Sequence, residues 1–119
     1  MTEVEKRLSV ILKAGDDKKA FDIKVLNISE ITNIADYFII FSGNSDRQVI
    51  SIANAIEDQM KEAGYMVSNK EGNRTGRWVL LDYGDIVVHV FHKEEREFYN
   101  LERIWVDGKE LDFEKFLTA

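Results

Sequence analysis

The chain contains no cysteine and no proline, and only two histidines. Without cysteine there is no disulfide framework and no thiol chemistry. The N-terminus, Met-Thr-Glu-Val-Glu-Lys-Arg-Leu-Ser-Val, has no basic region followed by a long apolar run, so no leader or anchor is expected and the cytosol is the expected compartment. Nor is there a surplus of basic residues. The formal net charge is −6, which argues against broad phosphate-backbone binding, because that needs lysine and arginine to displace counterions. No nucleic acid and no membrane are expected as direct partners. There is also no internal repeat and no low-complexity tract.

What is present is a globular composition, 45% hydrophobic and 32% charged, too apolar for disorder and too evenly charged for a membrane span. At 119 residues the chain is expected to be one domain burying about two-thirds of its unfolded surface. Residues 93–119 hold eight acids against five bases, a bias that suits either a solvated face or a basic partner.

The chain is organised around Arg77–His92, two apolar runs joined by a polar turn at Gly84. Trp78, Leu80 and Asp82 fall on one side of the first run and Val79, Leu81 and Tyr83 on the other, so both faces of this hairpin call for a covering layer. The second run, Ile86–Phe91, is rich in β-branched residues and reads as a strand. Upstream, Val4, Leu8, Ile11 and Leu12 recur at helical spacing and predict an amphipathic helix over 3–14, ending near Gly15. Phe21–Ile28 predicts a strand with Phe21, Ile23 and Val25 inward, and Tyr37–Ser42 a central strand buried on both faces.

Ser45 and Gln48 have the spacing of a capping box, and Val49, Ile52, Ala53, Ile56, Met60 and Ala63 form the stripe of a second helix closed by Gly64. Tyr65-Met66-Val67 is expected to start the next strand, completing a β-α-β crossover, with 69–76 as an exposed loop. A short surface helix follows His92, pinned back by Leu101, Ile104 and Trp105. Asp107-Gly108 marks a turn. Leu111, Phe113, Phe116 and Leu117 form a small apolar set that docks on the body or on a second copy. The fold class is therefore α/β (α+β), a mixed sheet of about five strands flanked by helices.

Chemistry has few candidates. Asp82 and Asp85 are a close carboxylate pair able in principle to hold a divalent metal, yet aspartate at that spacing also serves a plain hairpin turn. His89 sits mid-strand among valines, as a packed histidine with hydrogen-bonded nitrogens does, and His92, expected to be exposed near the strand end, has no cysteine or second histidine at metal spacing. Gly43-Asn44-Ser45 precedes a helix but is followed by no phosphate-loop lysine, so capping accounts for it. Trp78 has two readings, a core tryptophan or an aromatic anchor beside acids at a protein-binding hot spot.

Ala35-Asp-Tyr-Phe38, Ser42-Gly43, Ser51-Ile-Ala53, Glu71-Gly72, the run W-x-x-x-D-x-G-D-x-x-V-H from Trp78 to His89, Tyr99-Asn-Leu-Glu102 and Trp105 resemble the ribosomal silencing factor family, also called Iojap. The resemblance covers about residues 5–105, so 1–105 is expected to be the silencing-factor domain and 106–119 an extension. It implies a nucleotidyltransferase-like fold without the catalytic motifs. It implies no enzyme activity and no cofactor, but a translational repressor that binds large-subunit ribosomal protein L-fourteen, blocks joining of the small subunit when nutrients are short, and pairs as a homodimer when free. The contact surface it implies comprises Trp78, Leu81, Asp82 and Tyr83 on the hairpin and Tyr99 on the following helix. The alternative class is a metal-dependent nucleotidyltransferase-like enzyme using Asp82 and Asp85. Against it, Gly43-Asn44-Ser45 only approximates the Gly-Ser element, and the carboxylates are two residues apart instead of one.

Overall fold

The computed structural model describes residues 2–72, 74–99 and 109–117, with the side chains of 97–99 outside that description. Six strands form one mixed sheet: β1 (Phe21–Asn27), β2 (Tyr37–Gly43), β3 (Asn69–Glu71), β4 (Trp78–Asp82), β5 (Ile86–His92) and β6 (Lys109–Leu111), in the order β3-β4-β5-β2-β1-β6. The helices are α1 (Glu3–Asp17), α2 (Asp46–Glu62), α3 (Lys93–Tyr99) and α4 (Glu114–Leu117). This is the expected mixed, helix-flanked sheet, with six strands where about five were expected. Among the described residues only β2 and β5 pair in parallel, and the other pairings are antiparallel.

The first helix starts one residue after Thr2, whose hydroxyl accepts from the Glu5 amide while the Glu5 carboxylate accepts from the Thr2 amide, both at 3.1 Å. It runs past the expected stop at Gly15 to Asp17, and the reason is packing. Gly15 is buried in the last turns of α1, where a Cβ would lie 2.3 Å from a ring carbon of Phe41. The glycine admits the Phe41 ring; it does not cap the helix. In a free helix Gly→Ala gains about 1 kcal/mol, whereas overfilling a core costs about 1–3 kcal/mol. Gly15→Ala is therefore expected to lower the melting temperature, and a rise in thermal melting would show that Phe41 moves aside freely.

Ser45 caps α2 by accepting from the Gln48 amide at 3.1 Å. The reciprocal half of the expected capping box is absent, because Gln48 is used elsewhere. Its Oε1 accepts from the Asn44 amide at 2.6 Å and its Nε2 donates to the carbonyls of Lys18 and Lys19, tying the start of α2 to the end of α1. Val49, Ile52, Ala53, Ile56 and Met60 are buried as expected; Ala63 is the exposed C-cap, followed by Gly64 at φ 95°.

After α2, Tyr65–Val67 is a connection and not a strand, and Met66 is largely exposed. The returning strand is β3, within the stretch expected to be loop. Asn69, Lys70 and Glu71 pair with Asp82, Leu81 and Leu80 and satisfy the outer backbone groups of β4, a place at the sheet margin where polar side chains are at no disadvantage. Through β4 and β5, β3 runs in the direction of β2, so the crossover exists but lands at the edge.

One face of the sheet carries Val25, Ile39, Phe41, Val79, Leu81, Val88 and Val90 against Leu8, Ile11 and Leu12 of α1 and Ile52, Ile56 and Met60 of α2. Phe116 of α4 is buried in the same core, and Ser9 Oγ donates to its carbonyl at 2.8 Å. The tail residues 109–117 are thus built into the body, through β6 on β1 and α4 on α1. The other face carries Leu26, Ile28, Ala35, Phe38, Ile40, Val87 and Phe91, with Trp78 and Leu80 partly buried against them. The first strand feeds both faces. A register shift between Phe21 and Lys24, with Asp22 at φ 48°, leaves Phe21 only half-buried, while Ile23 and Val25 are inward as expected. The expectations for Leu101, Ile104, Trp105 and the Asp107-Gly108 turn lie outside the described residues.

Candidate functional site

The hairpin register decides what meets on the face away from α1 and α2. Trp78 pairs with Phe91, Leu80 with His89 and Asp82 with Val87, so Trp78, Leu80 and Asp82 form one row and Phe91, His89 and Val87 the next. Alternation sends Val79, Leu81 and Tyr83 to the helix side. Of the site residues named from the sequence, Trp78 and Asp82 share the outer row and are partly exposed, whereas Leu81 has no exposed surface and Tyr83 only 9%. Leu81 and Tyr83 are core residues beneath β4, and burial pushes the Tyr83 phenol up to about 12. Tyr99 is the last residue of α3, and its side chain lies outside the described residues.

The choice between core and anchor for Trp78 resolves into an intermediate placement. Its ring stacks on Phe91 at 4.8 Å and its Nε1–H donates to Nδ1 of His89 at 3.1 Å, while its remaining surface lines a groove of ≈ 260 Å³ with Glu71, Gly72 and Leu80. Gly72 allows this approach. At φ 82° it sits so near the Trp78 carbonyl that a Cβ there would overlap the oxygen, at 1.8 Å.

His89 is 4% exposed, and burial lowers its pKa to about 4. Only one of its nitrogens is bonded, contrary to the expectation of a fully satisfied core histidine. Nδ1 accepts from the indole, so the proton of the neutral ring is assigned to Nε2, which is buried without a hydrogen-bond partner. The Trp78–His89 contact was not anticipated, although the turn held its signal. Pairing Trp78 with Phe91 about the turn places His89 diagonally next to Trp78 on the same face.

The two turn aspartates are each engaged separately. Asp82 Oδ1 accepts from the Gly84 amide at 2.8 Å, and Asp85 accepts from the two terminal guanidinium nitrogens of Arg7, at 2.7 and 2.6 Å. The Arg7 pair holds the Asp85 carboxyl below its ordinary value and locks the turn to α1. Among the described residues no group of three or more His, Cys, Asp or Glu side chains is arranged to hold a metal ion.

At the other end of β4, Arg77 reaches Glu94 and Glu95 at the start of α3 at 3.0 Å and Asp46 at the start of α2 at 3.3 Å. His92 is buried, not exposed as expected, and its Nδ1 accepts from the Glu94 amide at 3.1 Å. On the inner side of α3 the buried Arg96 donates to Ser42 Oγ at 2.8 Å and to the Asp22 carbonyl. The helix that follows the hairpin is thereby fixed through Arg77 and His92 on one side and through Ser42 and Asp22 on the other. None of these contacts has a signature in apolar periodicity: the Arg77 and Arg96 contacts join residues remote in sequence, and the His92–Glu94 contact is polar.

The fold and this face define an α/β domain with one helix-covered side and, on the other, a partly exposed tryptophan beside an apolar groove. No helix among the described residues is long and apolar enough to cross a membrane. Residues 1–119 match the family described as "Ribosomal silencing factor during starvation", and the chain belongs to that family. It is 52% identical over 108 residues to the ribosomal silencing factor RsfS of Bacillus subtilis, covering 89% of this chain and 92% of that one. It is 35% identical over 98 residues to the chloroplastic protein Iojap of Zea mays, covering 80% of this chain but 41% of the longer plant protein. A crystal structure of a protein from Chromobacterium violaceum superposes with a TM-score of 0.85 at 36% identity, covering 94% of this chain and 92% of that one. One from Bacillus halodurans gives 0.79 at 43% identity, covering 88% and 95%. Membership carries a ribosome-silencing role in translation regulation, a regulatory function and not a named catalytic one.

Proposed function

We propose that the protein binds the large ribosomal subunit through ribosomal protein L-fourteen and silences it by standing where the small subunit must dock. The observation that carries this reading is Trp78: a large aromatic on the face away from α1 and α2, half-buried and bordered by an apolar groove. Its acidic surroundings, with Glu71 in the groove and Asp82 in the same row, and the net charge of −6 suit a basic ribosomal protein and disfavour RNA, which restricts where the domain can dock. The domain spans 33 × 32 × 26 Å, ample to obstruct an interface that must close to contact distance, so no catalysis is required. In this reading Trp78, Asp82 and the Tyr99 end of α3 face the partner. Leu81 and Tyr83 act from beneath by holding β4 in place.

Co-sedimentation tests it. The purified protein is expected to pellet with isolated large subunits and not with small ones; equal binding to both would refute it. The same reading makes the protein cytoplasmic and a homodimer when free, with Ile50, half-buried on α2, as apolar surface beyond the core. Light scattering at high micromolar concentration is expected to show twice the chain mass, and 13.8 kDa throughout would rule the pair out.

A further inference from the structure

We propose that His89 is a positioning residue for Trp78: it accepts the indole N–H and holds the ring in the orientation in which it meets the partner. The inference rests on the reading of Trp78 as the anchor. His89 lies off the N–H edge of the indole, its ring edge-on to Phe38 at 4.8 Å and nearly parallel to Phe91 at 6.0 Å. The two phenyl rings thus hold one nitrogen, Nδ1, at 3.1 Å from the only donor an indole has.

A leucine or valine would fill the same strand position without burying a polar edge. The imidazole instead leaves Nε2 buried and unpaired, a choice that costs stability. What the imidazole adds in return is directional. A stack on Phe91 constrains the plane of the indole, and the hydrogen bond adds a fixed direction for its N–H edge. An anchor held in its bound rotamer loses less conformational freedom on association.

The test separates stability from binding. His89→Leu removes the acceptor and the unpaired nitrogen together, so melting is expected to hold or rise while affinity for isolated large subunits falls about tenfold, the scale of one lost orienting bond. His89→Asn, which presents an oxygen near the place of Nδ1, is expected to stay within about threefold of the parent affinity by the same scale. Trp78→Phe keeps the stack and removes the N–H. It also gives up part of the anchor's contact surface, so it should fall at least as far as His89→Leu, and adding His89→Leu to it should cost nothing more, because the shared bond is already gone.

If Trp78→Ala abolishes binding and His89→Leu leaves it unchanged, the anchor stands and the positioning role is refuted. If Trp78→Ala leaves binding unchanged, the anchor itself is wrong. Should His89→Leu fail to fold, the decision passes to Trp78→Phe, and parent-like binding by that variant refutes the proposal. Melting and binding that fall in parallel across His89→Leu and His89→Asn would mark a purely structural residue and overturn it too.

Discussion

Trp78→Ala is expected to weaken binding to isolated large ribosomal subunits thirtyfold or more, with a melting temperature only a few degrees below the parent. Truncating an aromatic at the centre of a protein-binding patch costs about 2–4 kcal/mol of binding, and each 1.4 kcal/mol is a factor of ten. A fully enclosed tryptophan would cost about 3–5 kcal/mol of folding stability when truncated. Trp78 is only half-buried, so its removal uncovers Phe91 and His89 without opening a closed cavity, and a loss of about 1–2 kcal/mol is expected on folding. Subunit binding and thermal melting must be followed on the same protein. A collapse of the melt would make Trp78 a core residue and misplace the interface, while unchanged binding would remove it from the interface altogether.

Asp82 is a less clean probe than its position suggests. Its carboxylate accepts from the Gly84 amide and so helps close the hairpin, which means that a substitution there alters the turn as well as the charge of the patch. Asp85 is further still from a partner or a metal, because α1 has already claimed it through Arg7.

Apolar spacing made the larger elements legible. Leu8, Ile11 and Leu12, the α2 stripe, the doubly buried β2 and the hairpin are where helical or strand periodicity places them. What escaped has other causes. Asn69–Glu71 is polar because it borders the sheet, so it carries no apolar alternation to read, and its existence follows only from the pairing needs of β4. Gly15 resembles a helix stop in sequence, and only the Phe41 ring lying on it explains why the helix continues. The contact set drawn from the family resemblance joined residues that the two-residue alternation of a strand had already separated. Leu81 and Tyr83 cannot face outward with Trp78 and Asp82 on the same strand, and the structure places them beneath it. Trp78 and Asp82 were recoverable from the pattern, whereas the His89 contact required register, and the Arg77 and Arg96 attachments of α3 required the tertiary fold.

Lowering the pH from about 6.5 to about 4 is expected to destabilise the fold by roughly 3 kcal/mol through His89 alone. In the unfolded chain the imidazole takes up a proton near its ordinary 6.5; in the folded protein burial depresses that value to about 4. Between the two the unfolded state binds the extra proton, so stability rises with pH across this window and is lost as pH falls through it. Below about 4 both states are protonated and this loss levels off. A protonated ring also carries a hydrogen on Nδ1, where it would confront the Trp78 N–H, so the anchor's orienting bond is lost with the proton. The Arg7–Asp85 pair contributes with the same sign at lower pH. Its carboxyl is held below the ordinary 3.8, so that stabilisation is complete above 3.8 and is lost only beneath it. Denaturant melts from pH 8 to 4 should therefore show a decline that His89→Leu flattens and Asp85→Asn leaves intact. A decline of equal size in His89→Leu would assign the acid sensitivity to other groups.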